Sequence, residues 1–205
     1  MPGLSLQTDA FVLRKRPPSE AFSLVTAFAP AEGLLAVLER VARKASAPAP
    51  MLDLFDEASL LLESSNQGQT WFLREARILH RHESIGRDYE ALRHASHFAG
   101  IVARNPVPAE GRNSVAELLR GAFAAFGSAA RPDLVAFKSL YRFARDEGHP
   151  VAQQWLAELP ARDRGPAEEA LARPVAGLDL PPEVVARISG SLERYLRGHT
   201  EMVLE

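Results

Sequence analysis

Residues 10–44, AFVLRKRPPSEAFSLVTAFAPAEGLLAVLERVARK, hold three apolar runs separated by two turn signals. The first run ends in the basic triplet Arg14, Lys15 and Arg16, after which Pro17, Pro18, Ser19 and Glu20 break the extended chain. The second run, 21–29, is closed by Pro30, Ala31, Glu32 and Gly33, and the third is 34–41. Proline removes backbone donors at both breaks, and Gly33 supplies the positive φ that a tight hairpin turn needs. The stretch predicts a three-stranded meander with cations at its ends.

Working outward, 205 residues suffice for one large domain or two small ones and bury roughly 70% of the unfolded surface. The chain is 46% hydrophobic and 24% charged, as ordinary globular proteins are. No apolar run approaches the roughly 20 residues of a membrane span. The N-terminus, MPGLSLQTDAF, lacks a basic head and apolar middle, so a cytoplasmic location is expected. Without cysteine there are neither disulfides nor thiolate metal sites. A net charge of −2 restricts any nucleic-acid surface to a local patch.

Residues 42–50 read as an exposed loop, and 51–64, MLDLFDEASLLLES, as a long strand that carries Leu52 and Leu54 and bends near 56–59. Asn66, Gln67, Gly68 and Gln69 form a turn, and TWFLREARILH, 70–80, is a fifth run. Trp71, Arg74, Glu75 and Ile78 also fit a helical period, but the preceding turn and strand point to a hairpin. Five short strands in about eighty residues suggest a closed Greek-key barrel of the OB type.

From Ser84 onward the period changes to about 3.6. Tyr89, Leu92, His94, Ala95, Phe98, Ala99, Ile101 and Val102 share a helix face that Asn105 and Pro106 end. Ser114 and Glu117 have the spacing of a capping box, opening a helix that runs to Gly127. Pro132 opens a third helix, ended by Gly148 and Pro150, and short connections predict antiparallel packing. Residues 151–180 read as a helical insert, 182–196 as a last amphipathic helix ended by Gly198, and 199–205 as a tail. The fold class is α+β: an N-terminal five-stranded OB-fold β-barrel over 1–82, followed by an all-helical domain over 83–205.

Arg14, Lys15, Arg16, Arg40, Arg43 and Lys44 cluster at strand ends and loops. In an OB barrel such positions flank a groove where cations meet phosphates and aromatic faces stack on bases. Trp71 and Phe72 are the candidate platforms, and as strand neighbours only one of them faces the groove. Trp71 and Arg74 complete the candidate DNA-binding set; on the residues alone its cations also read as solvated strand ends. Lys138, Arg142 and Arg145 form a basic stripe at helical spacing, which by itself reads as a solvated helix face.

The ordered positions Val12, Leu13, Arg14, Ser19, Glu20, Gly33, Leu34 and Leu35 resemble the opening of the bacterial RecO recombination-repair family. LREAR at 73–77, DLVAFKSLYRFARDEGHPV at 133–151 and LERYLRGH at 192–199 resemble that family's fifth strand, central helix and final helix. The resemblance implies an OB barrel joined to a helical domain that mediates repair. It also implies binding of single- and double-stranded DNA, a seat on the Lys138, Arg142 and Arg145 stripe for the acidic C-terminal tail of single-strand-binding protein, strand annealing, and work with RecR to load RecA. Many members insert a four-cysteine zinc module where 151–180 stands here, so no zinc or other cofactor is expected. The family's Lys-Gly pair after the third strand is absent, and Glu39 stands beside the cations. That acid and the net charge favour a protein-only adaptor; the clustered cations favour direct DNA contact.

No nucleophile elbow, phosphate-binding glycine loop or HExxH motif is present. His80 with His82, and His94 with His97, lack a third metal ligand nearby in sequence. Glu168 and Glu169 point different ways on a helix, so no paired acid and base arises from them. The chain is expected not to be an enzyme.

Overall fold

The computed structural model describes residues 4–19, 21–40, 51–65 and 70–205. Its strands are β1 (Ser5–Lys15), β2 (Phe22–Ala29), β3 (Gly33–Arg40), β4 (Glu57–Ser65) and β5 (Thr70–His80). The α-helices that follow are α1 (Tyr89–Val102), α2 (Arg112–Ser128), α3 (Pro132–Asp146), α4 (Trp155–Glu158), α5 (Ala161–Ala172) and α6 (Pro182–His199). The class is therefore mixed α+β, strands first.

Two compact units result, one of Met1–His82 with Pro106–Ala116, the other of Glu83–Asn105 with Glu117–Glu205. The expected division after residue 82 put 106–116 with the helices, whereas the structure groups it with the strands. The reason is local: the Arg112 guanidinium donates to the Ala31 carbonyl at 2.8 Å, at the β2–β3 turn.

In the strand unit each strand bonds two neighbours in the order β1-β2-β3-β5-β4, and β4 returns to β1, closing the sheet. Only the β3–β5 pairing is parallel. Alternation sends Ala10, Val12, Val25, Ala27, Leu35, Val37, Leu60 and Leu62 inward to one apolar cluster. Gly33 closes the β2–β3 turn with φ of +84°, the conformation its sequence position called for.

The expected strand at 51–64 is shorter, because β4 starts at Glu57. Two aspartates divert the chain before it. The Asp53 amide donates to Asp56 Oδ2 at 2.8 Å, and the Leu54 amide to Asp53 Oδ1 at 2.8 Å. These side-chain bonds replace ladder bonds. Asp56 is fully buried and also accepts from Arg81 Nε at 3.0 Å, and Phe55 takes a φ of +69°. Leu52 leaves the ladder but still fills the interior cluster.

The helical unit is organised on α3, which packs against α1, α5 and α6. Phe98 of α1 meets Phe143 of α3 edge to face at 6.4 Å, and Trp155 sits between the rings of Phe137 and Tyr141 at 6.1 and 5.9 Å. Asp163 of α5, buried, is bonded by Arg187 Nε of α6 at 2.6 Å, which fixes the insert. Among the described residues no helix is long and apolar enough to cross a membrane.

Three local expectations fail. Ser114 does not cap α2, since a 3₁₀ turn at Ala109–Gly111 leads into a helix that has already begun at Arg112. Tyr89 does not join the buried face of α1: it is 75% exposed at the first position, where Asp88 caps the helix by accepting from the Ala91 amide. Gly198 does not end α6, which reaches His199, and the final residues are docked rather than loose. Met202 and Leu204 are buried, and Asn105 exchanges hydrogen bonds of 2.9 Å with both backbone groups of Val203.

A Cβ at Gly33 would stand 3.2 Å from the Arg112 guanidinium in a backbone conformation unsuited to L-residues. Gly33→Ala should lower stability by about 1–2 kcal/mol in urea unfolding. Gly121, inside α2 with open space around it, provides the opposite sign: Gly121→Ala should raise stability by roughly 0.5–1 kcal/mol.

Candidate nucleic-acid interface and peptide pocket

The outer face of β2, β3 and β5 carries the candidate interface. Leu24 faces Leu38, Leu38 faces Phe72, and the Arg16 amide reaches the Leu24 carbonyl at 2.9 Å, so these four residues form one row across the sheet. In the adjoining rows Phe22 faces Arg40, and Arg14 faces Thr26, which in turn faces Ala36. Phe22, Leu24, Leu38 and Phe72 are half-buried. The rings of Phe22 and Phe72 lie 5.6 Å apart, tilted by 56°.

Arg14, Arg16 and Arg40 are exposed on this face, and among the described residues no carboxylate pairs with any of them. The result is an apolar, partly aromatic floor edged by free guanidinium groups. Phosphates could meet the edge while bases rest on the floor.

Sequence placed two other members of the set here that the structure puts elsewhere. Lys15 faces the interior side: its Nζ lies 2.7 Å from Glu39 Oε2 and donates to the Leu52 carbonyl at 2.6 Å. Glu39, 5% exposed, also accepts from the Leu52 amide at 2.8 Å. This acid, expected among the DNA-facing cations, is turned inward and neutralised, while Lys15 is a tie within the fold.

Trp71 likewise packs against the interior cluster, opposite Val37, so the outward-facing platform is the half-buried Phe72. Arg74 is on the surface but bound to Glu63. Arg43 and Lys44 lie outside the described residues. Phe22 was missed by the sequence reading; its place opposite Arg40 follows only from the β2–β3 register.

In the helical unit, a cavity of about 420 Å³ is lined by Lys138, Tyr141, Arg142, Arg145 and one acid, Glu168, together with the apolar Leu156 and Leu171. The three basic residues do share a wall, as their spacing required. Their roles differ. Lys138 Nζ donates to the carbonyls of Ala170, Leu171 and Arg173 at the end of α5, and burial holds its pKa below the ordinary lysine value. It acts as a helix cap across two elements. Arg142 and Arg145 stay about half exposed, sharing Asp146 as an edge partner at 3.3 and 2.7 Å.

His80 and His82 have ring centroids 4.4 Å apart. Among the described residues no group of three or more His, Cys, Asp or Glu gathers closely enough to hold a metal ion.

The division between structural and exposed cations is measurable. Lys15→Met leaves Glu39 buried without its counter-ion and should cost roughly 3 kcal/mol in denaturant unfolding. Arg14→Glu should leave the unfolding midpoint unchanged, because among the described residues no carboxylate pairs with that exposed side chain.

No protein-family model and no curated protein matches this chain.

Proposed function

We propose that the chain is a non-catalytic mediator of recombinational DNA repair of the RecO kind, an OB-type barrel that grips DNA and a helical domain that holds a protein partner. The observation that carries this reading is the convergence of Arg14, Arg16 and Arg40 around the Phe22–Phe72 floor on one face of the closed sheet. The strand order β1-β2-β3-β5-β4 with β3 parallel to β5 supports the OB assignment, since the outer face of strands 2 and 3 is where OB barrels take nucleic acids.

The mechanism is binding alone. Guanidinium groups neutralise phosphates and release counter-ions, and unpaired bases lie on the phenylalanine rings. Holding a strand extended with its base edges free favours annealing to a complement. Duplex DNA meets the same arginines through its phosphates. The inward turn of Glu39 weakens one of the two sequence arguments for a protein-only adaptor, the net charge of −2 being the other. The pocket edged by Arg142 and Arg145 fits the acidic C-terminal tail of single-strand-binding protein: apolar walls from Leu156 and Leu171 would take its terminal side chain, and the guanidiniums its carboxylate. In this reading the chain works in the cytoplasm with RecR to load RecA.

A salt titration with fluorescent single-stranded DNA tests the first part. Binding should weaken steeply with salt, and the Arg14→Glu, Arg16→Glu, Arg40→Glu triple variant should lose about 2 from the log-log slope, at about 0.7 per phosphate. Phe72→Ala should cost about 1–3 kcal/mol, and Trp71→Phe far less. No binding at low salt defeats direct contact and leaves the adaptor.

For the second part, an acidic peptide ending in phenylalanine should bind the wild-type chain, and the Arg142→Glu, Arg145→Glu double variant should weaken it by about tenfold or more. Equal affinity for both proteins rejects the pocket.

A further inference from the structure

A second cavity in the helical unit, about 480 Å³, opens between α1, α3 and α6. Its floor is apolar: Phe98, Ile101, Phe137, Leu140 and Val185 line it, and each is at least nine-tenths buried. Its rim carries four carboxylates, Asp88, Glu90, Asp133 and Glu193, against two guanidiniums, Arg93 and Arg131.

Both guanidiniums are already engaged. Arg131 grips Asp133 through two nitrogens at 2.9 and 2.8 Å and donates to the Leu180 carbonyl at 2.6 Å. Arg93 is bound to Glu90 and lies 2.8 Å from His94 Nε2. Burial, and after it the charge of Arg93, hold the His94 pKa below its ordinary value. His97 stands 3.7 Å from Glu193. An acidic ligand would have to break one of these pairs and face the carboxylates left over. A cationic ligand meets Asp88 and Glu193 without displacing a guanidinium.

The geometry points to a binding site for a protein segment that seats one large apolar side chain on this floor and carries a basic side chain at the rim. Its charge preference is opposite to that of the pocket edged by Arg142 and Arg145, so it does not depend on the repair reading. An apolar anchor in a preformed pocket with polar groups at the mouth is the usual form of such recognition.

The test uses the full chain with labelled methyl groups, titrated with three capped peptides: acetyl-AFARR-amide, acetyl-AFADD-amide and acetyl-AAARR-amide. The first should shift the methyls of Ile101, Leu140 and Val185 in a saturable manner; the other two should shift them at least about tenfold more weakly. Ala186→Trp, placed at an exposed position on the rim of the cavity, should abolish the shifts. Glu193→Gln should weaken binding about twofold to fivefold. Absence of saturable shifts with the first peptide overturns the proposal. So does equal binding of the acidic peptide, or shifts that survive Ala186→Trp.

Discussion

Two extra residues in the barrel decide what its outer face presents. On β1 the partners of β2 skip from Val12 to Arg14, leaving Leu13 as a bulge. With unbroken alternation from Val12, Arg14 and Arg16 would point inward and Lys15 outward. The inserted residue inverts this. On β5 the partners of β4 skip from Leu73 to Glu75, and Arg74 is the extra residue. That shift sends Trp71 to the interior and Phe72 to the surface. A strand's side chains change faces together when its register moves by one residue. The exposed arginines and the outward-facing Phe72 ring therefore meet on one face through two independent one-residue insertions.

The same inversion obliges the interior to accept a lysine. An unpaired ammonium under the sheet would be costly, and Glu39, reached from β3, supplies its counter-charge. The pair is useful beyond neutralisation because both members also hold Leu52, one by its amide and the other by its carbonyl. That ties the chain just before β4 to the ends of β1 and β3. A buried ion pair contributes little net stability compared with apolar packing, but breaking it by removing one partner is expensive.

Much of this fold was legible because its signals are local. The Gly33 turn, the Pro132 helix start and the apolar runs of β2 and β3 follow from backbone chemistry within a few residues. What escaped depends on partners far away in sequence. Asp53 and Asp56 ended the expected long strand through bonds that include Arg81, 25 residues on. The docking of Met202 and Leu204 goes with bonds between Val203 and Asn105, 98 positions earlier. In the candidate site the basic residues were recognisable by type, but their sorting into Arg14 and Arg16 outward and Lys15 inward required the bulge. The stripe Lys138, Arg142 and Arg145 was visible as helical spacing and lines one pocket, whereas the capping duty of Lys138 needed the end of α5 in view.

Net charge is the wrong quantity for judging what this chain binds. The value of −2 sums faces that differ in sign: an outer sheet face with three exposed arginines, a pocket edged by Arg142 and Arg145, and a cleft rimmed by four carboxylates. Screening limits the reach of an exposed charge to about 8 Å at physiological salt, so a ligand responds to the groups around its own site. Helix α3 makes the point within a single element. Ala136, Phe137 and Leu140 line the acidic cleft, while Lys138, Tyr141, Arg142 and Arg145 line the basic pocket. At 3.6 residues per turn these sets occupy different sides of the helix, so fifteen residues can serve two opposite chemistries with no conflict between them.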